Sequence, residues 1–166
     1  MSMKIAIVSF LVAITGCSGW TVNGIPAERF LHAEPKQYAQ LAAGAATSFA
    51  VHWLSHVVYL EAEGIEWHQH GAREIITQPI STNQRQWMGR IGFVGQLVGG
   101  LALKHSPWKE SWFTTGYHAG SVLQIGSYPF YWGWSDGDLD MIGDAAEIEW
   151  AAYTTASIWL LNPRRN

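Results

Sequence analysis

Long apolar segments alternate with short polar breaks along this chain, and the pattern predicts four helices. The longest nearly uncharged run extends over residues 38–60, and Pro35 suits the first turn of a helix, so a first helix is predicted over residues 35–63. Three further helices are predicted over 86–104, 109–127 (before Pro129) and 139–161. Residues 20–35 are predicted to be an extended, loop-like N-terminal segment, and residues 64–85 a polar loop with room for a strand. The predicted fold class is all-α.

Helix length and polarity bear on whether these helices are membrane spans. A span needs about 20 apolar residues, and the first predicted helix is long enough. The last one contains three acids that would each cost about 2.5–3.5 kcal/mol at the bilayer centre: Asp144, Glu147 and Glu149. Gly116 and Gly120 have the small-xxx-small spacing that lets helices approach closely. The pattern favours a membrane-embedded or membrane-associated four-helix bundle over a water-soluble domain with a Trp-rich core.

Composition supports the membrane interpretation and excludes one class of partner. Charged residues make up 14% of the 166 residues, against about 25% in typical domains. Ten residues are Trp, which favours membrane interfaces, so a lipid bilayer is the predicted partner. The formal net charge is −3 and the chain has no basic stripe, which argues against nucleic-acid binding.

The N-terminus has the features of a bacterial export signal. A charged start precedes the apolar run 5–14, which is short for a membrane span and ends at Ile14-Thr15-Gly16-Cys17. This motif resembles the lipobox of bacterial lipoproteins, which implies removal of residues 1–16 and lipid attachment to Cys17. The implied location is the bacterial cell envelope, facing the periplasm, and Ser18 is compatible with the outer membrane. The alternatives are an uncleaved first membrane helix and an apolar helix with an incidental cysteine.

Cys17 is the only cysteine of the chain. Residues 17–166, which are predicted to form a single helical domain, therefore have no internal disulfide. A zinc site built from cysteines is excluded for the same reason.

Two histidines four residues apart interrupt the longest apolar run, in the segment AVHWLSHVVYL. On a helix, His52 and His56 lie one above the other on one face, and two neutral imidazoles so placed can bind one metal ion. Zinc or another divalent transition metal is the predicted cofactor. Because buried imidazoles need partners, the alternative is that both hydrogen-bond to neighbouring helices without metal.

The longer segment AVHWLSHVVYLEAEG resembles the active-site helix of intramembrane zinc metallopeptidases, whose pattern is His-Glu-x-x-His in an apolar helix with a trailing glycine. His52, His56 and Gly64 match this pattern. The position of the general base holds Trp53, which cannot accept a proton, so the resemblance implies a metal-binding relative better than a peptidase. The family's third ligand, an aspartate after leucine, matches Leu139-Asp140, although methionine replaces the glycine that should follow.

Acidic residues near the last predicted helix offer partners for the histidine pair. Asp140, Asp144 and Glu147 are spaced i, i+4, i+7 and would share one face of a continuous helix. They are predicted to meet the histidines in a polar centre, with His118 from the third helix, that either binds a metal or shares protons. His68 and His70 alternate in a polar loop and are predicted to be exposed.

The same region resembles a calcium loop in part of its spacing. Asp136, Asp138 and Asp140 occupy the first, third and fifth positions of an EF-hand-type loop. Position six, where the sharp turn needs glycine, is Met141, so calcium is the minor cofactor hypothesis. The simpler alternative is that Asp136 and Asp138 cap the last helix.

Three function classes follow from these features. The first is a membrane-associated bacterial lipoprotein with a buried metal site at His52, His56 and Asp140, whose reaction the sequence leaves open and which need not be catalytic. The second is a metal-dependent membrane hydrolase related to the intramembrane zinc peptidases, with a base from elsewhere such as Glu147. The third is a structural cell-envelope lipoprotein without metal. The sequence does not decide whether the chain is an enzyme.

Overall fold

A computed structural model describes residues 20–71, 73–131, 133 and 137–165 of the chain. The predicted lipidation residue Cys17, the predicted signal segment 1–16 and Asp136 lie outside the described residues. The described part is mostly helical, which confirms the predicted predominance of α-helix. In chain order the elements are β1 (Trp20–Val22), β2 (Ile25–Pro26), α1 (Ala27–Leu31), α2 (Pro35–Ala62), β3 (Trp67–His70), β4 (Arg73–Ile76), α3 (Thr82–Lys104), α4 (Trp112–Tyr131), α5 (Gly137–Ile142), α6 (Ala146–Leu161) and β5 (Pro163–Arg165).

The four long helices, α2, α3, α4 and α6, form two pairs. The helices within a pair are parallel, and the two pairs run in opposite directions. α2 and α4 form the most extensive contact and run parallel, with Leu41 against Gly116 and Ala45 against Gly120. α3 and α6 run parallel to each other, since Arg90 bonds to Glu149 near the start of α6 and Lys104, further along α3, bonds to Trp159 near the end of α6. α3 is antiparallel to α2, as two hydrogen bonds between them show: Tyr59 to Gln84 and Gln96 to Ser48. Each long helix therefore reverses the direction of the one before it.

Small residues allow α2 and α4 to pack backbone against backbone. A Cβ placed on Gly44 would lie 2.0 Å from the carbonyl oxygen of Phe113. One placed on Gly116 would lie 2.1 Å from the carbonyl oxygen of Leu41. No side chain fits at these positions, and the small-xxx-small spacing of Gly116 and Gly120 correctly predicts such a close approach.

The N-terminal segment forms more regular structure than the predicted loop over residues 20–35. β1 pairs antiparallel with both β2 and β5, which makes a three-stranded sheet of order β2-β1-β5. Val22, Ile25 and Phe30 are buried in an apolar cluster with residues of α2 and α4. The prediction of a loop is corrected to two strands and the short helix α1, because these apolar side chains pack into the core.

The polar stretch 64–85 contains the antiparallel hairpin β3–β4 and the start of α3. α3 begins at Thr82, before the predicted start at residue 86. The reason is a capping box: the Ser81 side chain accepts from the Gln84 backbone N–H, and the Gln84 side chain accepts from the Ser81 backbone. The signal for this boundary is the Ser-x-x-Gln spacing.

α4 continues through Pro129, although the sequence predicts an end before it. Proline has no N–H to donate to the carbonyl four residues earlier, which belongs to Ile125. That carbonyl accepts a hydrogen bond from Trp150 Nε1 at 2.7 Å instead. A side chain of α6 thus satisfies the group that the proline leaves without its helical donor.

The prediction of one continuous helix over residues 139–161 is wrong, because Gly143 divides it. Gly143 has φ of +79°, in the left-handed region that glycine adopts readily and that ends helices. The chain forms α5 before this residue and α6 after it. Asp140 and Asp144 therefore belong to different segments and do not share a helical face.

Among the described residues, one helix is long and apolar enough to cross a membrane by length and composition, namely α2.

An ion pair between α3 and α6 gives a pH-dependent contribution to stability. Arg90 donates hydrogen bonds to Glu149 Oε1 and Oε2, and this bonding lowers the pKa of Glu149 below its ordinary value of 4.5. A lowered carboxyl pKa stabilises the fold above pH 4.5 and loses that effect as pH falls through the lowered value. We expect Glu149→Gln to be less stable than wild type by about 1 kcal/mol at pH 7.

Urea unfolding of both proteins from pH 7 to pH 3 measures this effect. The difference in free energy of unfolding between the two proteins should shrink as Glu149 of the wild type becomes protonated, because the variant has no carboxylate at this position. A difference that stays constant across this range would show that the ion pair does not contribute.

Candidate metal centre

His52 and His56 lie on the inner face of α2, toward α3. Both side chains are buried, and their spacing of four residues stacks them one turn apart. α3 approaches the rings at Gly92, where a Cβ would lie 2.5 Å from His52 Cε1 and from His56 Nε2. Only a residue without a side chain lets both imidazoles fit between these helices.

Asp138 is the third member of this group, which we name the His–His–Asp cluster. Its Oδ2 atom lies 3.0 Å from His52 Nε2 and 3.5 Å from His56 Nε2. The two Nε2 atoms are 3.2 Å apart. Three buried side chains thus place three potential metal-ligand atoms close to one another.

The spacing of these three atoms fits tetrahedral metal coordination. With metal–ligand bonds of about 2.0–2.2 Å, neighbouring ligand atoms of a tetrahedron are about 3.3–3.6 Å apart. The distances of 3.0, 3.2 and 3.5 Å are close to that spacing. The cluster can therefore hold a metal ion with small adjustments of its side chains.

Helix α5 is held so that Asp138 faces the histidines. Leu139 and Ile142 are fully buried in an apolar cluster and fix the inner side of this short helix. The backbone N–H of Asp138 donates to the Tyr128 hydroxyl at 2.9 Å. The α5 backbone also packs on Gly89 of α3, where a Cβ would lie 2.3 Å from the Asp138 carbonyl oxygen. The carboxylate is thus positioned by packing on both sides of it.

The structure brings Asp138, and not Asp140, to the histidine pair. Asp140 is exposed on the outer side of α5, where its carboxylate pairs with Arg85. The predicted third ligand is therefore corrected from Asp140 to Asp138. The carboxylates of Asp138 and Asp140 have different partners, and Asp136, the first position of the resembled calcium loop, lies outside the described residues.

The other predicted members of the polar centre lie elsewhere. Asp144 and Glu147 are exposed near the start of α6. His118 is buried in α4, where its Nε2 donates to the carbonyl oxygen of Gly100 at 3.1 Å. Burial lowers the pKa of His118, so the neutral ring that links α4 to α3 is favoured. His68 and His70 are exposed, as predicted.

Gln96 determines which nitrogen of His52 carries the hydrogen. Its side-chain NH2 donates to Ser48 and to Gln124, which turns its Oε1 toward His52 Nδ1 at 3.1 Å. An amide oxygen only accepts, so Nδ1 of His52 carries a hydrogen. In the neutral ring the lone pair is then on Nε2, and Nε2 donates to Asp138 only when it has taken up a second proton. This tautomer is the one that binds a metal through Nε2.

Electrostatic interactions within the cluster favour a positive charge between its three atoms. Burial by itself would raise the pKa of Asp138, but hydrogen bonds to His52 and His56 hold that pKa well below its usual range. Burial acts to lower the pKa of His56, but the hydrogen bond and charge of Asp138 and the charge of Glu74 together outweigh it. The pKa of His56 is therefore raised above its ordinary value. A carboxylate that stays ionised in this position is matched by a proton or a metal ion.

Comparison with protein-family models, curated proteins and solved structures gives no match. The resemblance of the histidine helix to intramembrane zinc metallopeptidases therefore stays a prediction. Trp53, at the position of that family's general base, is partly buried and follows His52 directly on α2. Its indole has no basic atom, so activation of a water molecule at the cluster would require another group.

The role of Gln96 leads to a prediction about metal affinity. Gln96→Met keeps the length of the side chain but removes the acceptor that fixes the His52 tautomer. We expect the zinc Kd of the variant to rise about 10–100-fold, as for other outer-shell substitutions. Competition with a chelating dye measures the change, and Gln40→Met, the same substitution at an exposed position of α2, is the control. Equal affinities of the two variants would contradict the assignment.

Proposed function

We propose that this chain is a metalloprotein that binds one divalent transition metal ion, with zinc as the expected metal, through His52, His56 and Asp138. The observation that carries the proposal is the convergence of their two Nε2 atoms and one Oδ2 atom within 3.5 Å. Imidazole nitrogen and carboxylate oxygen are both established zinc ligands. The tautomer that Gln96 imposes on His52 supports the same conclusion, because it leaves Nε2 free to coordinate.

Metal analysis of the purified full chain tests the proposal directly. After metal is removed with a chelator and the protein is dialysed against zinc, we expect elemental mass spectrometry to find one zinc ion per chain. Zinc at about 100 times its Kd should stabilise the fold by about 2.7 kcal/mol, and a chelator should reverse that gain. A chain that retains no transition metal, and whose melting temperature zinc leaves unchanged, would overturn the proposal.

A metal-dependent hydrolase is the second candidate function, and the number of ligands favours it. Within the described residues, the cluster supplies three ligand groups. Structural zinc sites use four protein ligands, whereas catalytic sites use three and keep one position for water or substrate. In the cobalt-substituted protein, azide should change the visible absorption spectrum if that position is open. A spectrum that azide leaves unchanged would indicate a closed, structural site.

We also propose that the protein associates with a lipid bilayer. The supporting observation is a set of large apolar side chains exposed on the outer faces of three helices: Leu54 and Val58 on α2, Val98 on α3, and Ile148 and Trp159 on α6. Exposed apolar surface of this extent indicates contact with a membrane or a protein partner, and the scarcity of charge favours the membrane.

Lipid anchoring in the cell envelope is the corresponding proposal for the N-terminus, and it rests on the lipobox-like motif ending in Cys17. In a bacterial host, the wild-type chain should incorporate an alkyne-labelled fatty acid and float with membranes in a density gradient. Cys17→Ser should abolish the label. If the unlabelled variant still floats, the apolar helix surface associates with lipid without the anchor; if it does not, the anchor alone accounts for membrane association.

A further inference from the structure

Two buried polar atoms, one on a residue of the His–His–Asp cluster and one on the hairpin, have no hydrogen-bond partner among the described residues. One is His56 Nδ1, on the side of the imidazole away from the cluster. The other is Glu74 Oε1, on strand β4 of the hairpin. Buried polar atoms are almost always paired in native proteins, so each of these two needs a partner.

The hairpin places Glu74 on the side that faces the helices. Side chains alternate along β4, so Glu74 and Ile76 share one face while Ile75 is on the exposed face. Ile76 packs against the apolar cluster that contains Leu60 and Met88. Leu60 lies one helical turn after His56, which puts this face of β4 next to the end of α2 that carries the histidine.

Electrostatics agree with that placement. Burial acts to lower the pKa of His56, and the charge of Glu74 contributes, after that of Asp138, to raising it. Glu74 lies outside the group of three candidate ligands, and the packing of its face of β4 at the end of α2 is what brings its carboxylate to the His56 side of the cluster.

We propose that Glu74 is a positioning residue of the metal centre, which accepts the hydrogen of His56 Nδ1 directly or through one bridging water. The proposal rests on the proposed function: once Nε2 of His56 binds the metal, its hydrogen must reside on Nδ1. Buried polar groups are kept paired, and metal-bound histidines commonly donate this hydrogen to a carboxylate. Glu74 supplies that carboxylate and couples hairpin β3–β4 to the metal centre.

Zinc competition with a chelating dye tests the role of Glu74 in the full chain. We expect Glu74→Ala to weaken zinc binding about 10–100-fold. Glu74→Gln should weaken it less, because its amide oxygen still accepts a hydrogen bond. Glu66→Gln makes the same chemical change at an exposed residue just before the hairpin and should bind zinc like the wild type.

NMR of the imidazole groups provides a readout that a general loss of stability would not imitate. In zinc-loaded wild type, the Nδ1–H of His56 should be protected from exchange with water, and in Glu74→Ala it should exchange rapidly. Zinc affinity equal to wild type in both Glu74 variants would overturn this inference alone. Failure of the wild type to bind zinc would overturn the proposed function and, with it, the role of Glu74.

Discussion

Asp138→Asn is expected to abolish stoichiometric zinc binding, while Asp140→Asn leaves it intact. Asparagine has nearly the shape of aspartate but no charge, so the variant removes the anionic ligand 3.0 Å from His52 Nε2 without opening a cavity. Because outer-shell changes alone cost about 10–100-fold in metal affinity, we expect the loss of a ligand to exceed about 100-fold. Chelator competition and the zinc-dependent shift in melting temperature measure the effect.

Asp140→Asn is a matched control, because it makes the same substitution two residues away on α5. It removes an exposed pair with Arg85, and such pairs contribute about 0–1 kcal/mol to stability. Its zinc affinity should equal that of the wild type. If Asp138→Asn also binds zinc normally, the cluster is a hydrogen-bonded core and not a metal centre. If Asp140→Asn alone loses zinc, the ligand assignment from the sequence is the better one.

The helical part of the fold could be predicted from the sequence because its signals are local. The uncharged run and Pro35 gave the start of α2, and the spacing of Gly116 and Gly120 gave the close contact with α4. Two errors overlooked local signals, the Ser81–Gln84 capping box and Gly143, and a third arose where a distant residue decides the outcome. α4 continues past Pro129 because Trp150, from another helix, bonds the carbonyl of Ile125.

The candidate site was half predictable for the same reason. His52 and His56 follow from helical periodicity alone. Choosing between the aspartates required the orientation of α5, and the buried residues Leu139 and Ile142 hold that information. On a helix with about 100° per residue, Asp138 falls on their side and Asp140 on the far side. The assumption of one continuous helix through Gly143 obscured this pattern.

The outer residues of the site could not be predicted from the sequence. Gln96 is an ordinary helical glutamine until its contacts with Ser48, Gln124 and His52 are known. Glu74 is an acid in a polar loop until the hairpin packs on α2 and α3. The contacts of Gln96 and the proposed role of Glu74 both depend on the packing of separate elements, which local patterns do not encode.

Gly92→Ala is expected to disrupt the proposed metal centre and to destabilise the protein. In an open helical position the same change gains up to about 1 kcal/mol, because alanine has the higher helix propensity. At Gly92 the new Cβ would lie 2.5–2.6 Å from atoms of both imidazoles. Forcing a methyl group into a packed site costs about 1–3 kcal/mol, so the packing cost should outweigh the propensity gain.

Denaturant unfolding and zinc titration of Gly92→Ala should therefore change together, with lower stability and zinc binding at least about 10-fold weaker. Gly126→Ala on α4 is the control, since its Cβ would meet only Thr154 Cγ2 at an ordinary 3.7 Å. That variant should be as stable as wild type or more so, and should bind zinc normally. The rings cannot simply move away at Gly92, because Gln96 and Asp138 hold His52 from two sides. If Gly92→Ala had wild-type stability and zinc affinity, the imidazole rings would have moved to make room for the methyl group. The cluster would then lack the rigidity that a preformed metal site requires.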